Sequence, residues 1–171
     1  MIDPGFLADL PAALCRASLF VLLGLAAAHD VADFRIPNAV PALLLAAFGL
    51  FALAAPGEAA FLDGMLGGGV TLALGFALFS ARLMGGGDVK LLAAAALWTG
   101  FRVLPAHLLA VAVAGAGLAL VLVVLRWAVA RAVLFAAGCG PAAPLPRILR
   151  PGEPLPYGVA IAIGTVLVVP G

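Results

Sequence analysis

The chain alternates long apolar runs with short polar breaks, and the length of these runs decides the fold class. A helix that crosses a bilayer needs about 20 mainly apolar residues, and six runs reach or approach that length. The pattern therefore predicts an all-α fold, a polytopic membrane helix bundle of about six transmembrane helices. One membrane-embedded domain would cover residues 1–171. The predicted spans are residues 10–28, 40–55, 64–83, 88–102, 105–127 and 156–170, with a loop at 128–154.

Two of the predicted spans are short. Residues 88–102 and 156–170 form helices of about 15 residues, and at a rise of 1.5 Å per residue each reaches ~22 Å. The hydrocarbon core of a bilayer is ~30 Å thick. Either the bilayer thins around these two helices or they begin below its surface, and the sequence leaves both alternatives open.

Composition agrees with a membrane protein. Of the 171 residues, 65% are hydrophobic and 10% are charged, whereas soluble domains average about 45–50% and about 25%. The lipid bilayer is therefore an expected partner. The net charge of +1 gives no reason to expect a nucleic-acid partner. Cys15 and Cys139 lie far apart and form no paired motif, so we expect no disulfide, no metal and no cofactor. The first residues lack a basic segment, which favours a permanent first span over a cleaved signal peptide.

The basic residues predict an orientation. With six spans, seven of the nine Lys and Arg residues fall on one side of the membrane, and only Arg16 and Arg102 fall on or near the other. The positive-inside rule places the larger group in the cytoplasm. The seven residues are Arg35, Arg82, Lys90, Arg126, Arg131, Arg147 and Arg150.

This orientation brings three acidic residues, Asp30, Asp33 and Asp88, to the cytoplasmic end of the bundle. Carboxylates near hydrocarbon are costly and usually face the bundle interior or a watery cavity. Asp88 follows three glycines, Gly85–Gly87, whose backbone freedom would let it turn toward Asp30. The alternative is that Asp88 caps the fourth helix and the glycines form a tight turn. A second triple glycine, Gly67–Gly69, has no acid after it and is expected to allow close helix packing.

The segment after the first span turns the chain back into the membrane. Pro37 is unsuited to a helix interior and restricts Ile36 to extended conformations. We expect Asp33 and Arg35 to be ordinary loop charges and Asn38 to be a helix cap. Asp30 differs from them because it lies at the same depth as Asp88.

Two carboxylates at one depth have a chemical use. When they lie close together they do not both ionise easily, and the pair shares a proton. The charged carboxylate can then take a proton from water while the protonated one donates to a carbonyl oxygen. This division of roles is what hydrolysis of a peptide by water requires.

Three motifs together resemble the type IV prepilin peptidases, membrane aspartyl proteases of the G-x-G-D class. The first is D-x5-I-P-N from Asp30 to Asn38, the second is G-G-G-D-V-K from Gly85 to Lys90, and the third is P-Y-G at Pro156–Gly158. The resemblance covers residues 20–170. It implies that Asp30 and Asp88 are the catalytic pair. The positions it implies to be supporting are Ile36, Pro37, Asn38, Gly85, Gly86, Gly87, Lys90, Pro156, Tyr157 and Gly158.

The resemblance also implies substrates and a location. Its members remove the short basic leader from prepilin and pseudopilin precursors at the cytoplasmic face of the bacterial inner membrane. Longer members carry an N-terminal domain with paired C-x-x-C motifs and some methylate the product. This chain starts almost directly with a span, which is similar to the short form of tight-adherence (Flp) pili, and methylation is not expected.

Two alternatives and one question stay open at this point. Another G-x-G-D intramembrane protease would use the same residues on other substrates. A small proton-coupled transporter would use acids as a proton relay, but it predicts acids at mid-membrane and inverted repeats. The number of subunits is not indicated by the sequence.

Overall fold

The computed structural model describes residues 4–54, 58–136, 145–150 and 152–169. Within these ranges the chain forms α-helices and one short 3₁₀ turn, with no strand. This confirms the predicted all-α fold class. The elements are α1 (Pro4–Asp33), α2 (Ala39–Ala54), α3 (Glu58–Ser80), α4 (Gly86–Thr99), α5 (Leu104–Ala136), a 3₁₀ turn (Arg147–Leu149) and α6 (Tyr157–Val168).

Three of these helices are long and apolar enough to cross a membrane. The qualifying stretches are Ala13–Asp33 in α1, Ala60–Ser80 in α3 and Leu104–Val133 in α5. Helices α2 and α6 are apolar but shorter. Helix α4 has 14 residues and α6 has 12, so at 1.5 Å per residue each is shorter than ~22 Å. The protein is a helical membrane bundle built from helices of unequal length.

Helix α5 extends beyond the span predicted for it. It runs to Ala136, so the first part of the segment expected to be a loop at 128–154 is helical. The physical reason is local, because residues 128–136 contain Ala, Val, Leu, Phe and Arg and no Gly or Pro that would end a helix. Helix α3 ends at Ser80, before the predicted end at residue 83. Beyond it Arg82 has a φ of 60°, a left-handed conformation that stops the helix.

Helix α4 lies at the centre of the bundle, where it contacts α2, α3, α5 and α6. All residues from Leu91 to Leu97 are buried. The approach of α3 depends on glycine. A Cβ at Gly68 would lie 2.6 Å from the Leu97 side chain, and one at Gly67 would lie 2.9 Å from the Ala96 carbonyl oxygen. Gly67 and Gly68 therefore let the two helices pack closely, as the sequence predicts for this triplet, whereas a Cβ at Gly69 would meet no atom within 4 Å.

A buried histidine joins three helices at the end of the bundle where α4 finishes. Nδ1 of His107 lies 3.2 Å from Oγ1 of Thr99, and Nε2 lies 3.0 Å from Oγ1 of Thr165. The Thr165 hydroxyl donates its one proton to the Ile161 carbonyl oxygen at 2.7 Å. It must therefore accept from Nε2–H, which assigns the tautomer of His107. This polar group connects α4, α5 and α6.

Candidate active site

Asp30 lies in the last turn of α1 and is 5% exposed. Its Oδ2 accepts a hydrogen bond of 2.6 Å from the backbone N–H of Gly158. Gly158 is the second residue of α6, whose N-cap is Pro156. The first N–H groups of a helix have no partner within the helix, and the positive end of the helix dipole attracts an anion. The N-terminus of α6 therefore stabilises the Asp30 carboxylate, which lies at the C-terminal, negative end of the dipole of α1.

Asp88 lies in the first turn of α4, as the third residue of the helix. The N-cap is Gly85, which has an extended backbone (φ −71°, ψ 145°). Asp88 is therefore not the N-cap residue, but it lies in the first turn of the helix, as the alternative allowed. Its carboxylate folds back over Gly85, because a Cβ placed at Gly85 would lie 2.9 Å from Oδ2 of Asp88.

The three glycines before Asp88 leave room for neighbouring side chains, and their backbone conformations are ones that any residue can adopt. Gly85 is extended, Gly86 and Gly87 are helical, and none of the three has a positive φ. The expectation that they supply backbone freedom is wrong. A Cβ at Gly86 would contact the Phe79 ring at 3.3 Å, and one at Gly87 would contact the Ile36 side chain at 3.4 Å. Small residues here let neighbouring elements approach the start of α4.

Ile36 contacts the elements that surround both acids. Its Cδ1 would lie 3.2 Å from a Cβ at Gly158, and its Cβ would lie 3.4 Å from a Cβ at Gly87. The side chain thus lies between the start of α6 and the start of α4. Gly158 binds Asp30, and Gly87 immediately precedes Asp88. The structure brings together, at one end of the bundle, the two acids that the resemblance singles out.

Lys90 and Asn38 join the first two motifs directly. Nζ of Lys90 donates a hydrogen bond of 3.0 Å to Oδ1 of Asn38, at an exposed position. Asn38 immediately precedes α2, and Lys90 lies in the first part of α4. Sequence spacing alone had not paired these two residues.

The third motif contributes through α6. Pro156, the first residue of this motif, is buried at the N-cap of that helix. By contrast Pro37, which belongs to the first motif, is exposed in the turn between α1 and α2. Tyr157 packs on α5, where a Cβ at Gly115 would lie 3.0 Å from Cε2 of the ring.

Sequence reasoning missed two features of the site. It did not assign the Gly158 N–H to Asp30, and it did not identify Gly115. The only available signal for Gly158 was its place at the start of an apolar run, where free N–H groups are expected. A small residue in the middle of α5 carries no such signal.

Basic residues surround this end of the bundle. The Arg126 guanidinium donates to three backbone carbonyl oxygens, including that of Glu153 at 2.8 Å. Arg147 lies over the Phe34 ring, 5.4 Å from its centroid. These contacts hold the segment before α6 against the end that carries Asp30.

Arg102 does not belong to this group of basic residues. It pairs with Asp63 at 3.8 Å, in the loop that joins the end of α4 to α5.

The fold and site define a class: a polytopic helical membrane protein in which two acids on different helices meet at one end of the bundle. A family model described as the type IV leader peptidase family matches residues 17–120. That match covers more than half of the chain and contains both Asp30 and Asp88. The chain belongs to the type IV leader peptidase family, and its membership supports a peptidase activity. No curated protein and no solved structure matches the chain.

Proposed function

We propose that this protein is an aspartyl endopeptidase that removes the leader peptide from type IV pilin-like precursors of the Flp type. One observation supports the proposal: Asp30, bound by Gly158 of α6, and Asp88, next to Gly87 of α4, lie at one end of a membrane bundle, where Ile36 contacts both glycines. The family match supports the same class of substrate, prepilins and pseudopilins.

In the proposed mechanism the two carboxyl groups divide the work of acid and base. The ionised carboxylate takes a proton from a water molecule as the water oxygen attacks the scissile carbonyl carbon. The protonated carboxyl donates its proton to the carbonyl oxygen, which gives a neutral tetrahedral diol. Return of a proton to the leaving amine breaks the C–N bond. The Gly158 N–H bonds to one oxygen of Asp30, which leaves the other oxygen available for water.

We also propose that the site faces the cytoplasm of a bacterial inner membrane. Arg126 and Arg147 make their contacts at the end that carries Asp30. A concentration of basic residues at one end is typical of the cytoplasmic side. A leader that is short and basic would reach the site from that side.

The test is processing of a pilin-like precursor by the purified protein. Asp30→Asn and Asp88→Asn should each abolish cleavage while the protein still inserts into the membrane. Asp33→Asn is the matched control, because Asp33 lies on the same helix but is exposed. Cleavage at the wild-type rate by either of the first two variants would show that the pair is wrongly assigned.

Two alternative functions predict different experimental results. A protein that trims single-span substrates lacking a basic leader would be a different protease of the G-x-G-D class. A proton flux in proteoliposomes that is lost in Asp30→Asn would favour a transporter. Both acids lie within one turn of a helix end, where a mid-membrane relay is not expected.

A further inference from the structure

An apolar groove of about 420 Å³ opens on the surface between α2 and α3, with α4 as its floor. The α2 wall includes Ala42 and Leu45, and the α3 wall includes Gly69 and Leu72. Leu97 lies on the floor. On each helix the lining residues recur at intervals of three or four, so each helix presents about two turns to the groove.

Helices α2 and α3 are in contact at one end of the groove. Phe48 of α2 stacks on Phe61 of α3, with their ring centroids 6.2 Å apart. A Cβ at Gly64 would lie 2.6 Å from the Phe48 ring, so α3 approaches that ring closely. At the other end the walls of the groove continue to Asn38, just before α2, and to Leu72 on α3.

The polar end of the groove lies at Lys90 and Asn38, the two residues that join the first and second motifs. Lys90 is in the first part of α4, two residues after Asp88 and on a different face of that helix. A lysine ammonium has three N–H donors, and Lys90 gives one of them to Asn38. A bound chain in the groove would therefore pass from an apolar surface to hydrogen-bond donors at the end of the bundle that carries the two acids.

We infer that this groove holds the apolar helix that follows the cleavage point of the substrate, an inference that rests on the proposed function. Small residues such as Ala42, Gly69 and Ala93 allow the backbone of another membrane helix to approach closely. Hydrolysis needs an extended peptide, and a peptide that unwinds near hydrocarbon exposes carbonyl oxygens that require donors. Lys90 supplies such donors at the point where the substrate helix must end.

Gly69 offers a clean test of this docking surface. A Cβ at Gly69 meets no atom within 4 Å, so Gly69→Leu adds a side chain that starts in open space and extends into the groove. Matched controls are Gly24→Leu on α1 and Gly117→Leu on α5, which are equally open positions away from the groove. Ala42→Leu fills the groove from the opposite wall and serves if Gly69→Leu does not fold.

The assay compares a full precursor with a soluble peptide that carries the leader and scissile bond but lacks the apolar helix. For the precursor, Gly69→Leu should raise KM by about tenfold, equivalent to about 1.4 kcal/mol of binding free energy, and leave kcat unchanged. The variant and the wild type should cleave the soluble peptide at the same rate. The two control variants should match the wild type on both substrates.

The outcomes separate this inference from the proposed function. If the wild type cleaves the precursor and both groove variants have an unchanged KM, the groove does not hold the substrate helix. Loss of copurified phospholipid in those variants would then assign the groove to lipid, and a changed subunit number would assign it to a second copy. If the wild type cleaves no precursor, the proposed function fails and the docking inference fails with it.

Discussion

The backbone N–H of Gly158 donates a hydrogen bond of 2.6 Å to Oδ2 of Asp30, which lies 128 residues earlier in the chain. This contact joins the last turn of α1 to the first turn of α6. It explains why the final helix belongs to the site although the family match ends at residue 120. The position of one proposed catalytic carboxylate is therefore set by a helix that follows the matched region.

Gly158→Ala should lower the rate of precursor cleavage by about 10²-fold, because displacing a catalytic group by about 1 Å costs that much. A Cβ at this position would lie 2.9 Å from Oδ2 of Asp30 and 3.2 Å from the Ile36 side chain. Either the carboxylate or the start of α6 must move. The measurement is kcat on a pilin-like precursor.

Gly49→Ala is the control for this substitution, since a Cβ at Gly49 meets no atom within 4 Å. It should process the precursor like the wild type. Cleavage by Gly158→Ala at the rate of Gly49→Ala would mean that the contact with Asp30 is not needed for activity.

The hydrogen bond between Lys90 and Asn38 should appear as an energetic coupling between the two residues. A double-mutant cycle with Lys90→Met and Asn38→Leu should give about 0.5–1.5 kcal/mol, toward the lower value because the pair is exposed. The quantity to measure is the free energy of unfolding in mixed micelles. Strictly additive effects would show that the bond contributes nothing to stability.

Thr165→Val should destabilise the bundle by about 1–3 kcal/mol, the cost of leaving a buried donor without an acceptor. The Thr165 oxygen accepts from Nε2–H of His107 at 3.0 Å, and both side chains are fully buried. Removing the hydroxyl leaves that N–H unpaired between α5 and α6. The free energy of unfolding is again the measurement.

Thr71→Val is the matched control for the histidine contact. Thr71 is also buried, and its hydroxyl donates only to the Gly67 carbonyl oxygen of its own helix at 2.7 Å. Its loss leaves no donor unpaired, so the destabilisation should be smaller than that of Thr165→Val. Equal losses in the two variants would contradict the proton assignment at His107.

The orientation predicts opposite labelling of two exposed positions. In a background with Cys15→Ser and Cys139→Ser, Arg102→Cys should react with an impermeant maleimide added outside intact spheroplasts. Arg82→Cys, beside the start of α4, should react only after the membrane is permeabilised. The reverse pattern would place the two acids on the outer face.

The sequence by itself determined the fold class, the approximate order of the helices and the end of the bundle that carries the acids. These features depend on the length of apolar runs and on the position of polar breaks, which are local properties of the chain. The motifs around Asp30 and Asp88 indicated the family for the same reason, since each is a short run of neighbouring residues.

Only the tertiary structure decided how these parts meet. It shows that α4 is central, that Gly85–Gly87 provide space, and that the Gly158 N–H binds Asp30. Residue spacing within one helix predicts which side chains share a face, but it does not predict which other helix packs against that face. The site is assembled from α1, α4 and α6, so its geometry depends on packing between segments that are distant in sequence.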